Sequence, residues 1–447
     1  MSGGVWRRCL LLGILVLGGL SSLGAPVRAD DDDDDLYLPG EILVELANPA
    51  DLGAFAVEYH LDPQPIDQFG SRAIYRLRIT DGASPPTRAD AMESDRRVIY
   101  AEPNYVGQAP EARQRVSWAI GGDAGGYTAQ WALQYIRLPE AHQVTRGAGI
   151  TVAVLDTGVD RAHPALAGRL LQGHDFVDLD PDPSEVGVYG QDIAFGHGTH
   201  VAGLVALAAP EAAILPVRVL DRDGRGNLWV MAEALAYAAN PDGNPATDDG
   251  ADVINLSFGI QHESELLDDL LDDATCDDGD DDDAADDRGN TWTVYDEDCL
   301  GTGQNGIVVV AAAGNSASTT REYPAAEEES GNLAVAATTD TDSLAAFSTH
   351  GPWVNVAAPG ERIISAVPGG GYATWSGTSM AAPLVAGTAA LVRAVDPSLS
   401  PTMVVNRISA MAVPIGGPVP HRVDAAAAVG RPAGGAHYTI ALPLVRR

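Results

Sequence analysis

The sequence predicts an α/β protein with a mostly parallel central sheet, covered by helices on both faces and preceded by a small α+β unit. Three observations carry this. Near-continuous apolar runs recur at 149–160, 212–220, 251–259, 306–315, 332–338 and 354–360, as strands buried on both faces require. Amphipathic stretches such as LWVMAEALAYAAN (228–240) alternate with them, the pattern of a sheet with helices on either side. Polar residues close two of the runs, Asp156 and Asn315, and in such sheets working residues collect at the carboxyl ends of strands.

The elements follow in order. Residues 1–29 carry Arg7 and Arg8, an apolar run at 9–23 and small residues up to Ala29, the layout of a secretory signal peptide. Residues 30–35 are all aspartate, a solvated run expected to be disordered. Residues 36–107 mix strand-like segments (41–47, 73–79, 97–106) with a helix-like one (51–60), enough for a small α+β domain. Residues 108–129 show little periodicity and read as a linker. The large unit spans 130–433, with an acidic insertion at 262–305 expected to form a surface loop. A tail at 434–447 closes the chain, and an added strand is the expectation for it.

The chain has 447 residues and a formal net charge of −35, and all 27 of its basic residues are arginine. So acidic a protein is not a nucleic-acid binder, because phosphates repel it. Past the signal no stretch reaches the roughly 18 apolar residues of a membrane span, so no stable span is expected after signal removal. The predicted destination is outside the cell, at its surface or in the periplasm.

The chemistry is concentrated in three segments: V-A-V-L-D-T-G-V-D around Asp156, G-H-G-T-H-V-A-G around His197, and S-G-T-S-M-A-A-P around Ser379. Acyl transfer needs a hydroxyl nucleophile, an imidazole to take its proton and a carboxylate to orient that imidazole. These segments, in the order Asp, His, Ser, resemble those of the subtilisin-like serine peptidases, in their thermitase-like branch. The resemblance runs from about Gln130 to Val429 and implies a subtilisin-like three-layer fold. It implies catalytic roles for Asp156, His197 and Ser379, and makes Asn315, in A-A-A-G-N, an oxyanion donor beside the Ser379 backbone N–H. His200 is expected to pack, since no zinc-type ligand set accompanies the two histidines.

The same resemblance supplies the substrate site. Ser257, Phe258 and Gly259 match one strand beside the specificity pocket and Gly224, Arg225 and Gly226 the strand facing it, while Ala312, Ala313 and Gly314 line the other wall. No acid is evident at the pocket base, which predicts a large apolar or aromatic guest. Arg225 is either solvated or selects acidic residues further along the substrate. Asp175, Asp178, Asp180 and Asp182 in HDFVDLDPDP suit calcium, which takes six to eight oxygens; the other reading is a solvated acidic loop. Cys276 and Cys299, the pair left after the signal, predict a disulfide in an exported protein. Residues 36–107 resemble a subtilase propeptide, including Glu-Pro-Asn at 102–104, which implies an intramolecular inhibitor released by self-cleavage between Val106 and Gln130. The expected function is thus a secreted serine endopeptidase made as a precursor and acting on proteins or peptides. Its rivals are a non-catalytic calcium-binding surface protein on the same scaffold and an esterase; no G-x-S-x-G elbow surrounds Ser379.

Overall fold

The computed structural model describes residues 36–114, 119–244, 247, 249–276, 306–327, 331–419 and 421–431. The signal peptide, the acidic run, residues 277–305 with Cys299, and the tail lie outside the described residues.

A nine-stranded sheet forms the centre of the large unit. Its order is 413–414, 421–422, 356–359, 332–338, 308–312, 253–256, 151–156, 213–218 and 174–175. All neighbours run parallel except the first pair. Alternating side chains of one strand feed two cores. Val152 and Val154 join the cluster that holds the helices His197–Ala208 and Thr378–Val395. Ala153 and Leu155 join the cluster under Leu228–Ala239 and Glu265–Thr275. This is the three-layer arrangement, and it explains why these strands read as apolar without alternation. Thr378–Val395 is long and apolar enough to cross a membrane, but it is buried as the central core helix.

The N-terminal unit has its own core, built on Ile42, Val44, Phe55 and Leu77. Its strands run 67–68, 74–78, 37–46 and 98–108, and the last pairs antiparallel with Arg225–Asn227 of the large unit. Two acceptors fix the docking. Glu102 Oε1 accepts from Ser264 Oγ and from Leu266 N, both at 3.1 Å, at the start of helix Glu265–Thr275. Asn104 Oδ1 accepts from Trp229 N at 3.2 Å, at the start of helix Leu228–Ala239. Each satisfies a donor that a helix start leaves unpaired.

Two expectations need correction. The stretch 108–129 is not a bare linker: it holds a helical turn Pro110–Arg113, a strand Ala119–Gly122 and a helix Ala124–Ala129. The strand draws its partner from Gly371–Trp375, about 250 residues on, so local periodicity does not report it. The first part of 262–305 is also not a loop. Residues 265–275 form a helix that buries Leu266, Leu267, Leu270 and Leu271, while Asp272 is exposed and the half-buried Asp269 and Asp273 pair with Arg72 of the N-terminal unit.

Candidate active site

Asp156 ends strand Thr151–Asp156, and His197 opens the helix that starts one strand away. His197 Nδ1 stands 2.7 Å from Asp156 Oδ1, which also accepts from Thr157 N at 2.7 Å. Glu185 steadies this region. It accepts from Gly196 N at 2.8 Å and from the hydroxyls of Thr157 and Thr199, and burial pushes its carboxyl up to about 7 against those hydrogen bonds. Nothing in the sequence singled it out. His200, one turn on, is buried edge-on against Trp375. Burial and the neighbouring His197 charge push it down to about 3, so it packs as a neutral ring.

Ser379 lies in the first turn of the core helix, and Asn315 follows strand Val308–Ala312. Asn315 Oδ1 accepts from Thr378 N at 2.9 Å, which turns its Nδ2 toward Ser379. Between these groups sits a carboxylate that the sequence did not predict. Glu111 Oε2 accepts from Ser379 Oγ at 2.7 Å and lies 3.0 Å from His197 Nε2, while Oε1 accepts from Asn315 Nδ2 at 2.8 Å. Gly377 makes the room: a Cβ there would stand 1.5 Å from Glu111 Oε1.

The electrostatics follow. Burial opposes a charge on His197, but Asp156 and Glu111 override it and push the imidazole up to about 10. Burial raises Glu111 as well, yet His197, Ser379 and Asn315 hold it below the usual carboxylate range. An imidazolium is thus held between two carboxylates, and an imidazolium cannot act as a base.

The chain leading to Glu111 lies along the expected substrate strands. Val106, Gly107 and Gln108 pair with Asn227, Gly226 and Arg225. On the other side Gln108 exchanges backbone hydrogen bonds with Gly259, at 3.0 and 3.2 Å, and Ala109 N donates to Gly224 O at 2.9 Å. Ser257 O lies 3.3 Å from Ser379 Oγ. Phe258, Ala312 and Ala313 are buried behind this surface, and Arg225 is exposed. An acid that the sequence did not place stands beside the expected substrate strands. The buried Glu322 fits between Gly314 and Gly259 and pairs with Arg113, Nη1 to Oε1, at 3.2 Å. Glu322 lies only seven residues past Asn315, in R-E-Y-P; that proximity was the available signal.

The four aspartates do not close on one point. The Arg218 guanidinium pairs with both Asp175 and Asp178. Asp180 accepts from Asp182 N at 2.8 Å, and Asp182 from Ser184 Oγ at 2.6 Å. Among the described residues no three His, Cys, Asp or Glu side chains gather as a metal site would; as placed, Asp175 and Asp178 are held by Arg218. Cys276 follows the helix 265–275, and its predicted partner lies outside the described residues.

A strand-end carboxylate holding an imidazole, beside a helix-start serine and an amide donor, defines a serine-type acyl-transfer site. Residues 147–426 match the family model described as the subtilase family. A thermophilic serine proteinase of Bacillus sp. (strain AK1) is 39% identical over 313 residues, 68% of this chain and 65% of that one. Thermitase of Thermoactinomyces vulgaris is 38% identical over 273 residues, 59% and 81% of the two chains. A thermostable alkaline protease of Halalkalibacterium halodurans is 30% identical over 423 residues, 92% of this chain and 96% of that one. Among solved structures, fervidolysin from Fervidobacterium pennivorans, a keratinolytic enzyme related to subtilisin, superposes with a TM-score of 0.66 at 22% identity, covering 92% of this chain and 63% of that one; that likeness shows the fold. The chain belongs to the subtilase family of serine-type endopeptidases.

Proposed function

We propose that the protein is a secreted endopeptidase, made as a self-processing precursor, that hydrolyses peptide bonds through an acyl-enzyme on Ser379. One observation supports this above the rest: three donors, Ser379 Oγ, His197 Nε2 and Asn315 Nδ2, converge on one carboxylate. Glu111 Oε1, on Asn315, stands where the oxyanion would lie, and Oε2, between Ser379 Oγ and His197 Nε2, where the leaving amine and then the hydrolytic water would meet the imidazole.

With the 106–114 segment withdrawn, His197 Nε2 takes the Ser379 proton as Oγ attacks the scissile carbonyl carbon. Asp156 keeps Nδ1 protonated and stabilises the imidazolium. Asn315 Nδ2 and the Ser379 backbone N–H receive the oxyanion. His197 then gives its proton to the leaving amine, and water, activated by the same imidazole, releases the acid. Peptide main chain binds as a strand between 225–227 and Gly259, as 106–108 does in the precursor.

The N-terminal unit, 36–107, acts in this reading as an intramolecular inhibitor, and the cut falls between Val106 and Gln130. In the large unit, Cys276 and Cys299 form the proposed disulfide. Subtilases commonly bind structural calcium; here an ion at Asp175, Asp178, Asp180 and Asp182 has to displace Arg218. The test is expression of wild type beside Ser379→Ala. Wild type shortens and clears casein, while the variant keeps precursor size. Equal shortening of both assigns the cut to another protease.

A further inference from the structure

The pocket beside Ser379 holds a charge without full compensation. Glu322 is buried, and its carboxylate lies between two glycines of opposite walls. A Cβ on Gly314 would stand 2.4 Å from Glu322 Cδ, and one on Gly259 would stand 3.4 Å from Oε2. Oε2 is buried with no hydrogen-bond partner among the described residues. A buried carboxylate is costly unless a cation or several donors meet it. The cation that meets it is Arg113, which follows the plugging Glu111 by two residues. Arg113 Nη1 lies 3.2 Å from Glu322 Oε1, and Nη2 donates to Gly259 O at 3.4 Å. The Arg113 side chain stays about a third exposed, so it reaches the acid from the mouth of the pocket and not from the core.

Resting on the peptidase reading above, we infer that Glu322 makes the primary specificity pocket an acidic one. It takes the basic side chain, arginine foremost, of the residue whose carbonyl Ser379 attacks. Arg113 holds that place in the precursor. Two acceptors, a carboxylate and a backbone carbonyl, meet separate nitrogens of one guanidinium, a fork that a lysine ammonium cannot fill in the same way. A large apolar guest would fill the space and leave both carboxylate oxygens buried without a donor, the condition under which a polar site rejects a non-polar analogue strongly.

The test uses the mature enzyme, with its active sites counted by a serine-directed burst reagent. Chromogenic peptides differ only at the residue before the scissile bond: arginine, lysine, phenylalanine or glutamate. The expected order of kcat/KM is arginine, then lysine, then phenylalanine, with arginine ahead of phenylalanine by on the order of 100-fold. Glu322→Gln lowers the arginine-to-phenylalanine ratio at least tenfold, mostly through KM, and benzamidine competes with substrate on wild type more strongly than on the variant. If the variant fails to mature, the wild-type order and benzamidine inhibition decide alone. Phenylalanine cleaved as well as arginine, with casein hydrolysed, overturns the acidic pocket and leaves the peptidase standing. No cleavage of any peptide or of casein overturns both.

Discussion

Glu111 accepts the Ser379 hydroxyl hydrogen at 2.7 Å, across 268 residues of chain. The nucleophile is occupied by the protein's own carboxylate, and the same oxygen lies between it and its base, His197. On the proposed reading this is a precursor, assembled and blocked at once.

Replacing Glu111 should unblock it. Hydrogen bonds to a charged group contribute about 1.5–3 kcal/mol each, and Glu111→Ala removes three. The variant precursor is expected to shorten faster than wild type by at least tenfold, followed on gels at fixed pH. Unchanged timing would place the control of processing elsewhere.

The pH dependence of the precursor has a definite sign. His197, raised to about 10, contributes stability that is fully present below its unfolded value near 6.5 and is lost as pH rises through about 10. Glu111, lowered, contributes stability above its unfolded value near 4.5 that is lost as pH falls further. A Ser379→Ala precursor should thus melt highest between about pH 5 and 6.5 and lose Tm steadily on the alkaline side, up to about pH 10. Glu111→Gln should move that alkaline fall to lower pH. A melting curve indifferent to pH from 7 to 10 would contradict the buried charged cluster.

The strands and the triad segments were legible because each carries its signal locally: apolar runs for burial on both faces, and short motifs at Asp156, His197 and Ser379. Glu111, Arg113 and Glu322 were not. Their roles come from contacts 86 to 268 residues away along the chain, on stretches whose composition reads as linker or turn. The strand Ala119–Gly122 escaped for the same reason, since its partner lies at 371–375. The leucines of 265–275 were hidden by the acidic residues between them, two of which, Asp269 and Asp273, meet Arg72 of the N-terminal unit.

In the mature enzyme each member of the site has a separable cost. Asn315→Ala should lower kcat by about 10²–10³ with little change in KM. Asp156→Asn, which spoils the imidazole tautomer, should cost about 10⁴. Active-site-titrated kinetics on one peptide measure both. A loss for Asn315→Ala that falls on KM alone would remove it from the oxyanion role.

Arg218 closes the 174–183 loop by pairing with the buried Asp175 and the exposed Asp178. A chelator should therefore leave the melting temperature unchanged. Arg218→Gln, which strands the buried Asp175, should cost about 3 kcal/mol. Melting of both proteins, with chelator and with added calcium, is the measurement. A wild-type Tm that falls on chelation and returns with calcium would give the loop to the ion.

Labelling with a serine-directed organophosphate, read by peptide mapping, asks whether Ser379 is the nucleophile. Mature protein should take one label, on Ser379, with complete loss of caseinolysis, while precursor held by Glu111 takes it only as it is processed. Mature, correctly folded protein that hydrolyses casein with Ser379 unlabelled would contradict the account.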